Sequence, residues 1–198
     1  MTKIVGLTGN IASGKSTVAK FIRKQKLPIH ESDNEVRLLY KKPTKHFLNY
    51  LIKIKLGQAL FNKKINKKII RKEIFENSKK RELLEKFIHS EVKKKRNKFL
   101  KKNINKKNKV IFLDIPLLFE KKLDKICNFI ICVYAPLGVR KRRALNRPGM
   151  NKVVLNLIIK SQIKDSEKKR KADFVINTTK SKNYSHKEIL QIIKQITT

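Results

Sequence analysis

Apolar residues in this chain of 198 residues fall into short runs separated by longer amphipathic stretches. Ile4, Val5 and Leu7 lie in Lys3–Thr8, the compact apolar run of a buried strand, and a loop follows over Gly9–Gly14. From Lys15 to about Lys24 the spacing turns helical, with Val18, Ala19, Phe21 and Ile22 on the buried face. Leu27–His30 predicts a second short strand, and Asn34–Tyr40 a helix with Val36, Leu38 and Leu39 turned inward. Pro43 breaks that helix. Helical spacing returns from Phe47 to about Phe61, interrupted at Gly57, and a polar loop is expected over Asn62–Lys68. Two more helices are predicted over Ile69–Phe75 and from Glu82 to about Phe99, the second with a stripe of Leu83, Leu84, Phe87, Ile88 and Val92.

A Lys/Asn connector, Lys101–Lys109, leads to a third strand at Val110–Leu113 that ends on Asp114. Ile126–Tyr134 is continuously apolar, as a strand covered on both faces of a parallel sheet must be. Pro136 suits the first turn of a helix running to about Arg147, and Pro148-Gly149 stops it. A helix over Met150–Ile163, a fifth strand at Phe174–Ile176 and a closing helix at His186–Ile196 complete the pattern. Strands alternating with helices imply an α/β fold in layers around a parallel sheet. Residues 42–105 carry no convincing strand pattern and read as a helical insertion into a single domain spanning 1–198.

Composition changes this picture mainly through charge. Lys and Arg number 51 against 15 Asp and Glu, a formal net charge of +36. Clustered cations displace counterions from nucleic-acid phosphates, so an RNA-binding ATPase is one reading. Against it, Lys, Asn and Ile rise together along the whole chain, and all three have A/T-rich codons. Aromatics are few and scattered, with no base-stacking platform. Runs such as Lys93–Arg96 and Lys168–Lys171 are then expected to be solvated faces. Weak polyanion binding without a specific nucleic-acid partner is the expectation. Cys127 and Cys132 lie in apolar sequence at a spacing unlike zinc or redox motifs, which makes them core thiols. No leader pattern opens the chain, and no run reaches the roughly 20 apolar residues of a membrane helix. A cytoplasmic monomer without a membrane partner is expected.

The chemistry concentrates at the ends of the strands. Gly9-Asn10-Ile11-Ala12-Ser13-Gly14-Lys15-Ser16 matches G-x-x-x-x-G-K-[ST] between a predicted strand and a predicted helix. Backbone N–H groups of such a loop point at phosphates, and Gly9 and Gly14 allow an approach that a Cβ would hinder. Lys15 supplies a point charge for the β- and γ-phosphates of ATP, and the Ser16 hydroxyl a ligand for Mg²⁺. Asp33 follows the second strand. It is read either as a proton acceptor at the ligand crevice or as a helix N-cap, and position alone does not separate the two. Asp114 ends an apolar strand, where a carboxylate supports Mg²⁺ in many phosphate-loop sites and should lie close to Ser16. Arg140, Arg143 and Arg147, spaced i, i+3 and i+7, share one helix face. That face is either a lid edge over the transferring phosphoryl group or one more basic surface.

These residues resemble the dephospho-coenzyme A kinase family. The opening Gly6–Thr17 is similar to that family's start, with Asn10 and Ala12 in place of its usual glycines. Glu31-Ser32-Asp33 stands where the family has Asp-Ala-Asp, and His89-Ser90 where it has His-Pro. Ile70-Arg71-Lys72-Glu73-Ile74-Phe75 and Leu84–His89 are similar to its helical insertion. The most specific likeness is Leu113-Asp114-Ile115-Pro116-Leu117-Leu118-Phe119-Glu120. Arg143, Arg147 and Gly149, then Gln162, Glu167, Lys168 and Ala172–Asn177, complete the order over almost the whole chain.

The resemblance implies a three-layer P-loop kinase fold with a five-stranded parallel sheet, a helical acceptor-binding insertion and a lid over about 140–165. It implies transfer of the ATP γ-phosphoryl group to the ribose 3′-hydroxyl of dephospho-coenzyme A, with Mg²⁺ as cofactor. Gly9 and Ala12–Thr17 would bind ATP, Arg143 and Arg147 would hold phosphates, and Lys15, Asp33 and Arg143 would be catalytic. Asp33, Arg71, His89, Asp114 and Leu117 would face the acceptor, and Ser16 with Asp114 the metal. A nucleotide or nucleoside kinase with the same core is the rival within the class, because a fold does not fix the acceptor.

Overall fold

The computed structural model describes residues 1–62 and 64–197. They form two compact units, Met1–Glu31 with Leu100–Thr198, and Ser32–Phe99. The first unit opens with β1 (Lys3–Thr8), α1 (Lys15–Lys24) and β2 (Ile29–Glu31).

In the second unit, α2 (Ser32–Lys41) and α3 (Lys45–Lys53) precede a short antiparallel hairpin, β3 (Leu60–Phe61) and β4 (Lys64–Ile65). α4 (Lys67–Glu76) and α5 (Ser78–Asn105) follow, α5 leaving the unit after Phe99. Thr44 starts α3 by accepting from the Phe47 amide at 3.2 Å, and Asn66 starts α4 by accepting from Lys68 and Ile69. Phe47, Leu51, Leu56, Ile70, Leu84 and Phe87 are buried together. The Phe87 ring stacks on Tyr50 at 4.2 Å and on Phe47 at 5.4 Å.

The rest of the first unit is β5 (Val110–Asp114), β6 (Phe129–Tyr134), α6 (Leu137–Leu145), α7 (Lys152–Ser161), α8 (Asp165–Lys171), β7 (Phe174–Asn177) and α9 (Lys182–Thr197). The sheet order is β2-β5-β1-β6-β7, with every pair parallel. Parallel pairing brings all carboxyl ends to one edge, where α/β proteins bind ligands. Leu7 pairs with Asp114 and Thr8 with Cys132, so Asp114 stands level with the end of β1. Val5, Leu7, Phe112, Ile131 and Val133 pack with Val18 and Ile22 of α1 and Ile189 and Ile192 of α9. Full burial of each such side chain contributes roughly 1.5–3 kcal/mol. Burial pushes the Cys132 thiol up to about 11, so near neutral pH it is a protonated core group. Among the described residues no helix is long and apolar enough to cross a membrane.

Several boundaries depart from the pattern-based expectation. The segment expected to hold no strand carries the β3–β4 hairpin, and Lys63 of the expected 62–68 loop lies outside the described residues. α5 continues through the Lys/Asn stretch to Asn105, since Lys and Asn break no helix. β6 begins only at Phe129, because Asp124–Ile126 form a 3₁₀ turn. α8 was invisible to hydrophobic periodicity because Asp165–Lys171 contains no apolar residue. Nor are the two basic runs simply solvated: Arg96 is buried, and Lys168 has no exposed surface.

Candidate active site

The loop between β1 and α1 is shaped by contacts that only small residues permit. A Cβ on Gly9 would stand 2.4 Å from the Val133 carbonyl oxygen of β6 and 2.6 Å from Ser13 Oγ. Gly14 has φ 94°, and a Cβ there would meet Thr178 Oγ1 at 2.8 Å. α1 begins at the next residue and has no acid in its first turn. The Thr17 amide is the first to donate back, to the Gly14 carbonyl at 2.9 Å, so the Lys15 and Ser16 amides precede the helical bonds and carry the positive end of the helix dipole. Together with the loop they form an anion-binding cradle. Ser16 and Thr17 are exposed on that first turn.

Lys15 Nζ forms an ion pair with the Asp114 carboxylate, the two side chains being 12% and 7% exposed. Each charge gives the other a partner where little water reaches. Asp114 therefore meets the residue beside Ser16. The Ser16 hydroxyl and the Asp114 carboxylate are hard oxygen donors, the kind Mg²⁺ takes together with water and phosphate oxygens. Among the described residues no three His, Cys, Asp or Glu gather to hold a metal by themselves.

The three arginines of the expected helix face separate. Arg143 is half-buried and donates through Nη1 to Thr178 Oγ1 at 3.0 Å and through Nη2 to the Thr178 carbonyl at 2.8 Å. Thr178 Oγ1 in turn donates to the Ser13 carbonyl at 2.6 Å, so Arg143 is linked to the phosphate loop through one residue. Arg140 points inward, 3% exposed, and donates to the Ala135 carbonyl at 3.1 Å. Arg147 lies beyond the end of α6 and is exposed. Spacing placed all three on one face because it assumed a helix running to Arg147. Thr178 was missed, although its place just after β7, at a carboxyl strand end, was a usable signal.

The stretch after β5 is fixed from below. The Pro116 carbonyl accepts from Thr8 Oγ1 at 3.0 Å and from Lys168 Nζ at 3.1 Å. Lys168 also pairs with Glu120 at 3.0 Å, and Glu120 accepts from the Ile163 amide at 3.2 Å. Ile115, Leu118 and Phe119 are buried, and Leu117 is half-buried. Removing one member of a buried ion pair leaves its partner's charge without compensation. Lys168→Met is therefore expected to lower stability by about 3–5 kcal/mol. The urea midpoint measures this loss, and Lys168→Met combined with Glu120→Gln is expected to recover part of it.

Asp33 and Arg71 belong to the helical unit. There they line a cleft of about 410 Å³ with Arg37, Tyr40, Lys67 and Ile70. Asp33 stands inside the first turn of α2 rather than at its cap, and is exposed. Burial raises the Tyr40 hydroxyl above its ordinary value, and the Lys67 ammonium sits 5.4 Å from the centre of its ring. His89 is exposed on α5 and is not among the residues lining this cleft.

A parallel sheet in this order, with a strand–Gly9-to-Ser16 loop–helix unit at its carboxyl edge, defines a P-loop kinase. The family is also settled: the family model for dephospho-CoA kinase matches residues 3–183, and the chain belongs to that family. It is 38% identical over 194 residues to the dephospho-CoA kinase of Bartonella quintana, with 98% of each chain covered. Among solved structures it resembles TT1252 from Thermus thermophilus, with TM-score 0.80 and 26% identity over 100% of this chain and 98% of that one. It also resembles the dephospho-CoA kinase from Campylobacter jejuni, with TM-score 0.72 and 27% identity over the same shares.

Proposed function

We propose that this chain transfers the γ-phosphoryl group of ATP to the ribose 3′-hydroxyl of dephospho-CoA, releasing ADP and coenzyme A. The observation that carries this reading is the phosphate cradle at the start of α1, with Lys15 poised on Asp114 and Arg143 anchored at Thr178. Family membership supplies the acceptor. A bond forms between the 3′-oxygen and the γ-phosphorus, and the bond to the bridging β–γ oxygen breaks.

In such a loose transition state, placement and neutralisation of charge supply most of the catalysis. Residues Ala12–Thr17, with the Lys15 ammonium, bind the β- and γ-phosphates, and in doing so give Lys15 an anionic partner other than Asp114. Arg143 covers the transferring group, and Arg147, on the arm beyond it, reaches the phosphates as the lid closes. Ser16 and Asp114 would hold Mg²⁺, whose charge neutralises the phosphate oxygens. Asp33 orients the 3′-hydroxyl and takes its proton. Arg71, His89 and Leu117 are assigned to the acceptor. The insertion of about 42–105 binds that acceptor, and the segment of about 140–165 forms the lid, excluding water from the reacting centre. The reaction is assigned to the cytoplasm and to a monomer.

The test is incubation of the purified protein with ATP, Mg²⁺ and dephospho-CoA, followed by mass spectrometry. An ATP-dependent gain of one phosphoryl group on the acceptor is expected. Phosphorylation of a nucleoside or nucleotide in a parallel panel, with dephospho-CoA untouched, would transfer the assignment to another kinase of the class.

A further inference from the structure

The tip of the phosphate loop is bonded to two segments far from it in sequence. Asn10 Nδ2 donates to Asp165 Oδ1 at 2.8 Å and to the Ile163 carbonyl at 3.1 Å. The Ile11 amide donates to Gln162 Oε1 at 3.0 Å. From the other side, Arg140 Nη1 reaches the Ile11 carbonyl at 3.4 Å, and the same guanidinium pairs with Asp165 Oδ2. Asp165 is thus shared, with one oxygen on the loop and the other on α6. Apolar packing closes the same joint, since Ala12, Ala144 and Leu155 are buried together with Ile11, Met150 and Ile159 against them.

This arrangement matters because the loop's shape does not sustain itself. Ala12 has φ 58°, a left-handed conformation costing a residue with a Cβ about 1–2 kcal/mol. Both polar groups of Ile11 are held by side chains from elsewhere, Gln162 on the amide and Arg140 on the carbonyl. Between Arg140 and Gln162 runs the arm that carries Arg143, Arg147 and α7. Each root of that arm is therefore tied to the loop. Amides fixed in place before the triphosphate arrives need no reorganisation when it binds.

We propose that Asp165, which follows the second root of the α6–α7 arm, is a positioning residue that joins the phosphate loop, through Asn10, to the arm's first root, through Arg140. The loop amides and Arg143 then meet one triphosphate as a single preset unit. This role presupposes that the loop binds ATP, so nucleotide binding by the parent protein is measured in the same titration.

Asp165→Asn keeps the shape but offers one acceptor oxygen to two donors, Asn10 Nδ2 and Arg140. Asn10→Ala removes the loop's donor and leaves the Arg140–Asp165 pair intact, so it tests the joint without stranding a buried charge. Each variant is expected to weaken ATP binding about tenfold, the scale of one lost buried partner, with the KM for the acceptor nearly unchanged. The double variant is expected to bind no more weakly than the weaker single one. A purely architectural role would lower Tm and leave ATP affinity untouched. ATP affinity within twofold of the parent in both single variants, or losses that multiply in the double variant, would overturn the assignment. A parent that binds no nucleotide would instead overturn the kinase reading itself.

Discussion

Lys15→Ala is expected to keep the fold and to lower phosphoryl transfer at least about a hundredfold, the scale of losing a key electrostatic stabiliser. The position is in the first turn of α1, where alanine is the most favourable helical residue. Its side chain lies at the carboxyl edge of the sheet, outside the apolar core of Val5, Leu7, Ile22 and Ile131. The variant does remove the Lys15–Asp114 ion pair, and a lost hydrogen bond to a charged group costs about 1.5–3 kcal/mol. A lowered Tm with an unchanged far-UV spectrum is therefore part of the expected result. The rate loss has a separate origin. In the proposed reaction Lys15, at the end of a glycine-shaped loop, meets the charge that grows on the β–γ bridge as the bond breaks. Lys15→Arg keeps the charge but replaces a compact ammonium with a planar fork, and should also fall well below the parent. Both are checked by a coupled assay at saturating ATP. Activity of Lys15→Ala within tenfold of the parent would remove the loop from the chemistry.

What could be read in the chain followed from how each signal is encoded. The central strands β5 and β6 were visible because burial on both faces demands unbroken apolar runs, as in Val110–Leu113 and Ile130–Val133. The phosphate loop was visible because its glycines are steric requirements, which the 2.4 Å approach of a Gly9 Cβ to Val133 O makes concrete. Cations were hard to read. In a chain with 51 of them, pattern does not tell Lys168, which lies buried on Glu120, from Lys171, which pairs with Glu167 at the surface. Arg140 and Arg143 posed the same problem: they are separated by less than one helical turn, yet one braces the Ile11 carbonyl and the other reaches Thr178. Thr178 and Asp165 act through tertiary partners more than a hundred residues away, at Ser13 and Asn10, and local sequence holds no trace of such pairings. Family likeness pointed to the segments that hold the site, but not to which side chains build the joint between them.

Asp33→Asn is expected to reduce turnover by about a hundredfold or more, within the range for loss of a general base, while ATP affinity stays close to that of the parent. The two quantities should part because the substitution changes one atom and leaves the phosphate cradle of Gly9–Thr17 unaltered. An amide fills the same space in the first turn of α2 and can still accept a hydrogen bond, but it does not take up a proton from a hydroxyl. The cleft that Asp33 lines also holds the cations Arg37, Lys67 and Arg71. A role confined to the helix start predicts a different outcome, a small loss of stability with turnover intact. Single-turnover phosphoryl transfer separates the two, because it reports chemistry without product release. Turnover preserved in Asp33→Asn would assign the proton to another acceptor and leave Asp33 as an acid at a helix N-terminus.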